Sequence, residues 1–154
     1  MHTVDTIAIA STPDVVYRLA EDVEDWPVIL PHYRWVRVLE TRGPDERIVE
    51  MAAWRDRIPV WWRSIQRCYP KEHRITYKHI GGATTGMDVE WAITTTSGVT
   101  RARLTHDIIL PWPILGPLAA WVMCDAFVSY IAGKTLQGIA AAAEKTNVVS
   151  LTRL

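Results

Sequence analysis

The stretch Pro111–Lys145 reads PWPILGPLAAWVMCDAFVSYIAGKTLQGIAAAAEK and has the strongest helical pattern of the chain. Its prolines cluster at the start, and Pro117 suits the first turn of a helix, where its missing N–H has no partner to lose. Side chains then recur at helical spacing: Trp121, Cys124, Val128, Ile131, Thr135 and Ile139. The first half is apolar nearly all round, so the helix has to be covered on most sides. We expect the preceding residues to form the surface that covers it.

A membrane-spanning helix is the alternative for this stretch, since Ile114 to Gly133 is about long enough to cross a bilayer. Asp125 is the only charged residue in that interval, and a carboxylate at mid-span costs about 2.5–3.5 kcal/mol on insertion scales. We therefore predict a buried helix without stable membrane insertion. Contact with a membrane surface remains open.

Bulk composition is that of one globular domain, which we place at residues 1–146 with a tail at 147–154. The 154 residues include 17 Lys and Arg against 17 Asp and Glu, so there is no general positive field for nucleic acid. Cys68 and Cys124 are far apart, which favours neither a zinc site nor a disulfide framework. We predict no metal, no cofactor and a cytoplasmic location, because a reducing compartment fits this cysteine usage and the N-terminus lacks a signal-peptide pattern.

Tryptophan is over-represented, with eight residues against one phenylalanine. Its ring combines a large apolar face with an N–H that needs a partner. Either the core and surface simply use tryptophan, or these rings line a cavity.

Two secondary-structure patterns precede the long helix. Thr3–Ala10 alternates as a strand, and Thr12-Pro13 starts a helix that ends before Trp26-Pro27, followed by a short second helix. From His32 the apolar pattern has period two. It predicts six strands joined by short turns: Tyr33–Thr41, Arg47–Arg57, Pro59–Tyr69, Arg74–Ile80, Met87–Thr96 and Thr100–Ile109.

Short connections between successive strands predict an antiparallel meander. The fold class is therefore α+β: a curved, seven-stranded antiparallel sheet wrapped around a long C-terminal helix, with two short helices after strand 1. The sheet has to curve because the helix needs cover on several sides.

The segment Pro13–Glu40, PDVVYRLAEDVEDWPVILPHYRWVRVLE, and the strand start GMDVEW at Gly86–Trp91 resemble the START-like (SRPBCC, helix-grip) superfamily. Within it, the chain is most similar to bacterial polyketide aromatase/cyclases and their cyclase/dehydrase relatives. The resemblance implies a deep apolar cavity between the sheet and the C-terminal helix. In the aromatase/cyclases that cavity holds a poly-β-ketone delivered on an acyl carrier protein, and the enzyme promotes aldol-type ring closure and loss of water.

Alternation along the strands indicates which side chains face this cavity, because one face of each late strand is apolar. The inward set on the last three strands, with Val128 from the helix, contains Tyr77, His79, Met87, Val89, Trp91, Leu104, His106 and Val128.

Strand Pro59–Tyr69 is ambiguous, because neither of its faces is cleanly apolar. The resemblance implies that Arg67 takes the place of the family's cavity arginine, and that Trp26, Tyr33, Trp61 and Trp91 take its aromatic positions. Arg67 exposed, or paired with Glu50 or Glu90, is the alternative. The remaining predicted substrate contacts are Trp35, Arg63, Ile65 and Trp121.

The predicted chemistry uses charged and protic groups in this greasy pocket. A buried Arg67 would stabilise the enolate-like oxygen that develops during ring closure, and Tyr33 would donate to a second oxygen or relay a proton. His79 and His106 have the right pKa range for proton transfer, although each is equally typical of a hydrogen-bonded core histidine. Asp125, paired with Arg63 or a histidine, completes the candidate catalytic set.

Three functions remain open from the sequence. The first is a polyketide aromatase/cyclase that works with an acyl carrier protein, as a monomer or homodimer. The second is a non-catalytic binding or transport protein for a lipid, quinone or other hydrophobic molecule. The third is a structural or stress-related protein with a mostly filled interior. The chain has no GxSxG, HExxH, Walker or GxGxxG motif, which disfavours the corresponding enzyme classes.

Overall fold

The protein's computed structural model describes residues 2–108 and 127–152. The helices are α1 (Pro13–Glu21), α2 (Trp26–Ile29) and α3 (Ser129–Thr152). The strands are β1 (His2–Ile9), β2 (Tyr33–Arg42), β3 (Glu46–Arg55), β4 (Ile58–Tyr69), β5 (Arg74–Gly82), β6 (Asp88–Thr96) and β7 (Val99–Asp107). All seven form one antiparallel sheet in the order β1-β7-β6-β5-β4-β3-β2. The predicted α+β helix-grip architecture is confirmed.

Strand limits differ from the predicted ones by one or two residues. One of the two-residue differences lies between β3 and β4, where the predicted strand ran to Arg57 but β3 ends at Arg55. Asp56 has a positive φ of 53°, a left-handed conformation that Asp tolerates better than most residues and that reverses the chain. This tight turn joins the two strands and carries Arg57 at its tip.

Helix α1 begins as its sequence predicts. Thr12 has extended backbone angles, and its side-chain oxygen accepts a hydrogen bond from the Val15 N–H at 3.4 Å. Pro13 occupies the first turn. Residues Val16, Tyr17 and Ala20 bury the inner face of the helix.

Helix α3 covers the inner face of the sheet. Its buried side recurs every three to four residues: Ile131, Ala132, Thr135, Leu136, Ile139, Ala140 and Ala143. The helix continues to Thr152, past the domain boundary predicted at residue 146. The predicted helical stretch between residues 109 and 126 lies outside the described residues. Within the described ones, no helix combines the length and apolarity needed to cross a membrane.

Close packing of α3 against Leu30, the residue after α2, sets the distance between that helix and the α2 segment. Leu30 is fully buried, and a Cβ added to Gly138 would overlap its Cδ2 atom. A Cβ added to Gly133, five positions earlier on the same helix, would meet no atom within 4 Å. One helical glycine is therefore required by packing and the other is not.

We predict opposite outcomes for Gly133→Ala and Gly138→Ala. The first should raise the free energy of unfolding by about 0.5–1 kcal/mol, because alanine loses less backbone entropy in a helix. The second gains the same term but overpacks Leu30, which costs about 1–3 kcal/mol. Urea denaturation of both variants measures the difference, and a Gly138→Ala protein as stable as Gly133→Ala would contradict this packing.

Candidate functional site

A cavity lies between the inner face of the sheet and α3, with a volume of about 60 Å³. Ten predicted contact residues line it: Trp26, Tyr33, Tyr77, His79, Met87, Val89, Trp91, Leu104, His106 and Val128. Seven lining residues were not predicted: Met51, Trp62, Thr84, Phe127, Ile131, Ala132 and Thr135. The wall is therefore mostly apolar and aromatic, with a few hydroxyl and imidazole groups.

The small volume of the cavity limits the size of the ligand that it can hold. About 60 Å³ holds a few water molecules, whereas sites for drug-sized ligands measure about 300–1,000 Å³. A ligand with several rings therefore enters only if lining side chains change rotamer or α3 shifts. Methionines such as Met51 and Met87, with three rotatable bonds each, are the lining residues best suited to such a change.

Aromatic rings hold Tyr33 in place on one side of the cavity. The Trp26 ring centroid lies 4.9 Å from that of Tyr33 in an edge-to-face arrangement, and Trp62 approaches from another side at 6.1 Å. The indole N–H of Trp26 donates to the Leu19 carbonyl at 3.0 Å, so its ring is fixed by α1. These contacts use geometries that aromatic pairs prefer.

The Tyr33 hydroxyl group meets α3 at Thr135. Their oxygens are 3.4 Å apart, and Thr135 donates to the Ile131 carbonyl at 2.8 Å within its own helix. Burial raises the pKa of Tyr33 above its ordinary value, and the hydrogen bond with Thr135 offsets only part of that rise. Tyr33 is therefore a protonated donor facing the cavity.

Two neutral histidines also line the cavity. The Nδ1 atom of His79 is 2.5 Å from the Thr84 hydroxyl oxygen, and the Trp62 ring stacks on the imidazole at 6.0 Å. Burial lowers the pKa of His79 to about 3, with a further contribution from His106. Burial likewise lowers the pKa of His106 to about 4.

His106 differs from His79 in its hydrogen bonding. Its Nδ1 atom is buried and has no hydrogen-bond partner among the described residues. A buried polar atom without a partner costs stability, and a catalytic role is one reason for which such an atom is retained. His106 is thus a cavity residue with a buried nitrogen that no described group uses.

The phenol of Tyr77 is engaged in a separate network. The Gln66 side-chain N–H donates to the Tyr77 hydroxyl at 3.0 Å, and Arg47 donates to Gln66 Oε1 at 2.6 Å. Arg47 and Gln66 also donate to the Glu21 carbonyl at the end of α1, at 2.7 Å and 3.1 Å. This arrangement ties the helix end to the sheet and leaves Tyr77 less free for chemistry than Tyr33.

The predicted inward position of Arg67 is wrong. Arg67 lies on the outer face of β4, half exposed, and its Nε donates to Glu46 Oε2 at 2.6 Å. The open alternative, an exposed or carboxylate-paired arginine, is what the structure shows, with Glu46 as the partner. The inward position next to it holds the fully buried Gln66.

The outward face of β4 that holds Arg67 also holds Trp61, Arg63 and Ile65. Arg63 donates to Glu50 at 2.7 Å, Ile65 lies between the two arginines, and Trp61 is 49% exposed. None of the three lines the cavity, contrary to prediction; Trp62 does instead. The inward face is Trp62, Ser64, Gln66 and Cys68, whose mixed polarity hides it in the sequence. The sequence feature that could have shown the outward orientation is a pair of acidic residues on β3. Glu46 and Glu50 lie directly opposite Arg67 and Arg63 of β4.

Trp35 also faces away from the cavity, and a β-bulge is the reason. The register shifts between Tyr33 and Trp35, so the two residues do not share a face as plain alternation predicts. Trp35 is half buried on the outer side, with the Arg37 guanidinium 4.8 Å from its ring centroid. The predicted site residues Trp121 and Asp125 lie outside the described residues. Within the described chain, no group of three His, Cys, Asp or Glu residues is placed to hold a metal ion.

The neutral histidines predict a loss of stability in acid. In the unfolded chain each has a pKa near 6.5, above the folded values of about 3 for His79 and about 4 for His106. The unfolded state therefore binds more protons below pH 6.5, and the free energy of unfolding falls as pH falls. Each histidine should contribute a loss of about 2 kcal/mol between pH 7 and pH 5.

Urea unfolding of the wild type and His106→Gln at both pH values measures this effect. The variant should lose about 2 kcal/mol less than the wild type over the interval. Gln137→Ala, at an exposed position of α3, removes no titratable group, so it is the control and should keep the wild-type dependence. An unchanged pH dependence in His106→Gln would show that His106 is not held neutral by burial.

Solved structures with this fold include enzymes and other proteins. The Zhui aromatase/cyclase from Streptomyces sp. R1128 has a TM-score of 0.84 at 24% identity, with 94% of each chain covered. Major latex-like protein 151 from Panax ginseng has a TM-score of 0.78 at 13% identity, covering 93% of this chain and 97% of its own. At these identities the likeness shows the fold alone.

The di-domain ARO/CYC StfQ from the steffimycin biosynthetic pathway is similar at 27% identity with a TM-score of 0.77. The match covers 95% of this chain and 52% of StfQ, so the chain spans about half the length of that protein. No curated protein sequence matches the chain significantly. The family described as "Polyketide cyclase / dehydrase and lipid transport" matches residues 9–129. Since that match extends over most of the chain, the protein belongs to this family of START-like proteins.

Proposed function

We propose that the protein is a polyketide aromatase/cyclase that folds a poly-β-ketone in its cavity and promotes aldol-type ring closure and dehydration. The observation that carries the proposal is the unpartnered Nδ1 of a neutral His106 in an aromatic cavity. Family membership supports the class of activity. Delivery of the substrate on an acyl carrier protein belongs to the proposal, as do the cytoplasmic location and a monomeric or dimeric state.

Proton removal is the first step of the proposed chemistry. A neutral imidazole has one nitrogen that accepts a proton, and His106 supplies it to a carbon acid between two carbonyl groups. The C–H bond breaks, the proton goes to His106, and the electron pair moves onto the neighbouring carbonyl as an enolate. Because the folded-state pKa of His106 is about 4, the base is fully available at neutral pH but weak. The reaction therefore depends on an acidic C–H, which a β-dicarbonyl unit provides.

Ring closure and loss of water follow. The enolate carbon attacks a second carbonyl carbon, a C–C bond forms, and the new alkoxide takes a proton from the His106 imidazolium. His106, neutral again, removes a second α-proton, and the electron pair of that C–H bond forms the C=C bond as hydroxide leaves. The departing hydroxide takes the proton from the His106 imidazolium and becomes water. Tyr33, which burial keeps protonated, would donate a hydrogen bond to the developing oxyanion.

A guanidinium has no part in this mechanism, unlike the one predicted from the resemblance. Arg67 is on the outer face and is paired with Glu46. The donors facing the cavity are neutral, so they stabilise an oxyanion less strongly than an arginine would. This observation favours the second candidate function, a non-catalytic binding or transport protein for a hydrophobic molecule.

A reconstituted assay separates the two functions. A poly-β-ketone is generated on its carrier protein in the presence of wild type, His106→Gln or Arg67→Gln, and the cyclised products are quantified. We expect His106→Gln to lower ring closure by about 100-fold, the lower limit for loss of a general base. Arg67→Gln is the matched surface control and should behave as the wild type.

Ligand binding is measured on the same proteins. Calorimetric titration with a flat aromatic phenol should give similar affinities for all three, because the cavity walls are retained. Binding without any effect on the product profile would favour the carrier function over catalysis. Absence of any bound ligand, including co-purifying molecules in native mass spectra, would favour a protein with a filled interior.

A further inference from the structure

A second depression lies on the surface beside the cavity, which we call the α3 groove. Its volume is about 610 Å³, and it is lined by Pro31, His32, Trp54, Asp56, Arg57, Tyr130 and Lys134. The β3–β4 turn forms one side and the first turns of α3 form the other. None of its residues belongs to the site predicted from the sequence.

Two cations of this groove form no ion pair with the described residues. No described carboxylate pairs with Lys134 or Arg57. Lys134 Nζ instead lies 4.5 Å from the centre of the Tyr130 ring, and Arg55 Cζ lies 6.0 Å from the same ring. On the outer face of the sheet, by contrast, three cations are paired with acids at 2.6–2.8 Å: Arg63, Arg67 and Lys78.

Asp56 is the one acidic residue among the described residues that line the groove, and it keeps its negative charge. Asp56 accepts a hydrogen bond from the Tyr130 hydroxyl at 3.0 Å. This bond orients the ring that Lys134 and Arg55 contact. His32 adds no charge, because burial, with Lys134 nearby, lowers its pKa to about 4. Lys134 and Arg57 outnumber Asp56, so the groove has a net positive charge on an aromatic floor, and an anionic group is the ligand that complements it.

The groove and the cavity are separated by a wall one side chain thick. His32 lines the groove, and its Nε2 is 3.0 Å from the hydroxyl oxygen of Thr135, which lines the cavity. The His32 and Tyr33 ring centroids are 4.8 Å apart, with Tyr33 on the cavity side. Rotation of the His32 side chain would break this hydrogen bond and this ring contact and would remove the side chain that separates the two spaces. A molecule of modest length then reaches both.

We propose that the α3 groove binds an anionic oxygen group, a carboxylate or a phosphate, carried by the same hydrophobic molecule whose ring system occupies the cavity. The proposal rests on the proposed function in one respect, since it assigns the apolar part of the ligand to that cavity. Lys134 and Arg57 contact the anion, Trp54 and Tyr130 contact the part of the ligand next to it, and His32 moves aside.

Three naphthalene probes with one ring system and different heads test this assignment: 2-naphthol, naphthalene-2-carboxylate and 2-naphthyl phosphate. Isothermal titration at pH 7 gives the dissociation constants, with the uncharged naphthol as the reference for the cavity alone. We expect both anions to bind about tenfold or more tightly than naphthol, as one charge-assisted contact provides. Raising the salt concentration should reduce that advantage and leave naphthol binding unchanged.

Variants locate the anion. The double substitution Lys134→Gln with Arg57→Gln should bring the anions to the affinity of naphthol. Arg101→Gln removes the same kind of charge from an exposed position on β7 that does not line the groove, and it should have no effect. Equal affinity of all three probes for the wild type, or equal weakening by Arg101→Gln, would overturn the anion site while leaving the cavity function intact. Failure of all three probes to bind would overturn both.

Discussion

Strand alternation is the constraint on which the rest of this structure depends. One face of the sheet packs against α3, and the other faces solvent, so each strand residue reaches either the interior or the surface. Gln66 and Arg67 show the consequence, because they are adjacent in sequence and have opposite environments. A shift of one position would bury an arginine without an acid and expose an amide that now joins Arg47 to Tyr77.

The same constraint places the charged side chains of β4 on the outer face of the sheet and its uncharged polar side chains on the inner face. The arginines of β4 face outward, where carboxylates directly across on β3 pair with them. The polar groups of the interior are hydroxyl, amide and imidazole groups, and burial keeps His79 and His106 neutral by lowering their pKa values. The cavity thus avoids the cost of a buried charge while it retains groups able to accept and donate protons.

The boundary between the apolar interior and the charged surface runs along α3. The inner surface of α3 meets the cavity at Thr135, and its next exposed face meets the groove at Lys134. Neighbouring residues on one helix therefore contribute to an apolar space and to a positively charged one. The ligand proposed above would place its ring system on the apolar side of this boundary and its anionic head on the charged side.

Local patterns in the sequence determined the helix start at Thr12 and the alternation of β5 to β7, because a clean apolar face leaves one possible orientation. They also placed His79 and His106 in the cavity wall, whereas the position of Tyr33 there was implied by the resemblance to the family. Tertiary structure decided the orientation of β4, where both faces mix polar and apolar groups, and the outward turn of Trp35, which depends on a bulge. It also decided contacts such as that of His32 with Thr135, 103 positions away. Such contacts depend on how α3 packs against the sheet, and no local period in the sequence encodes that packing.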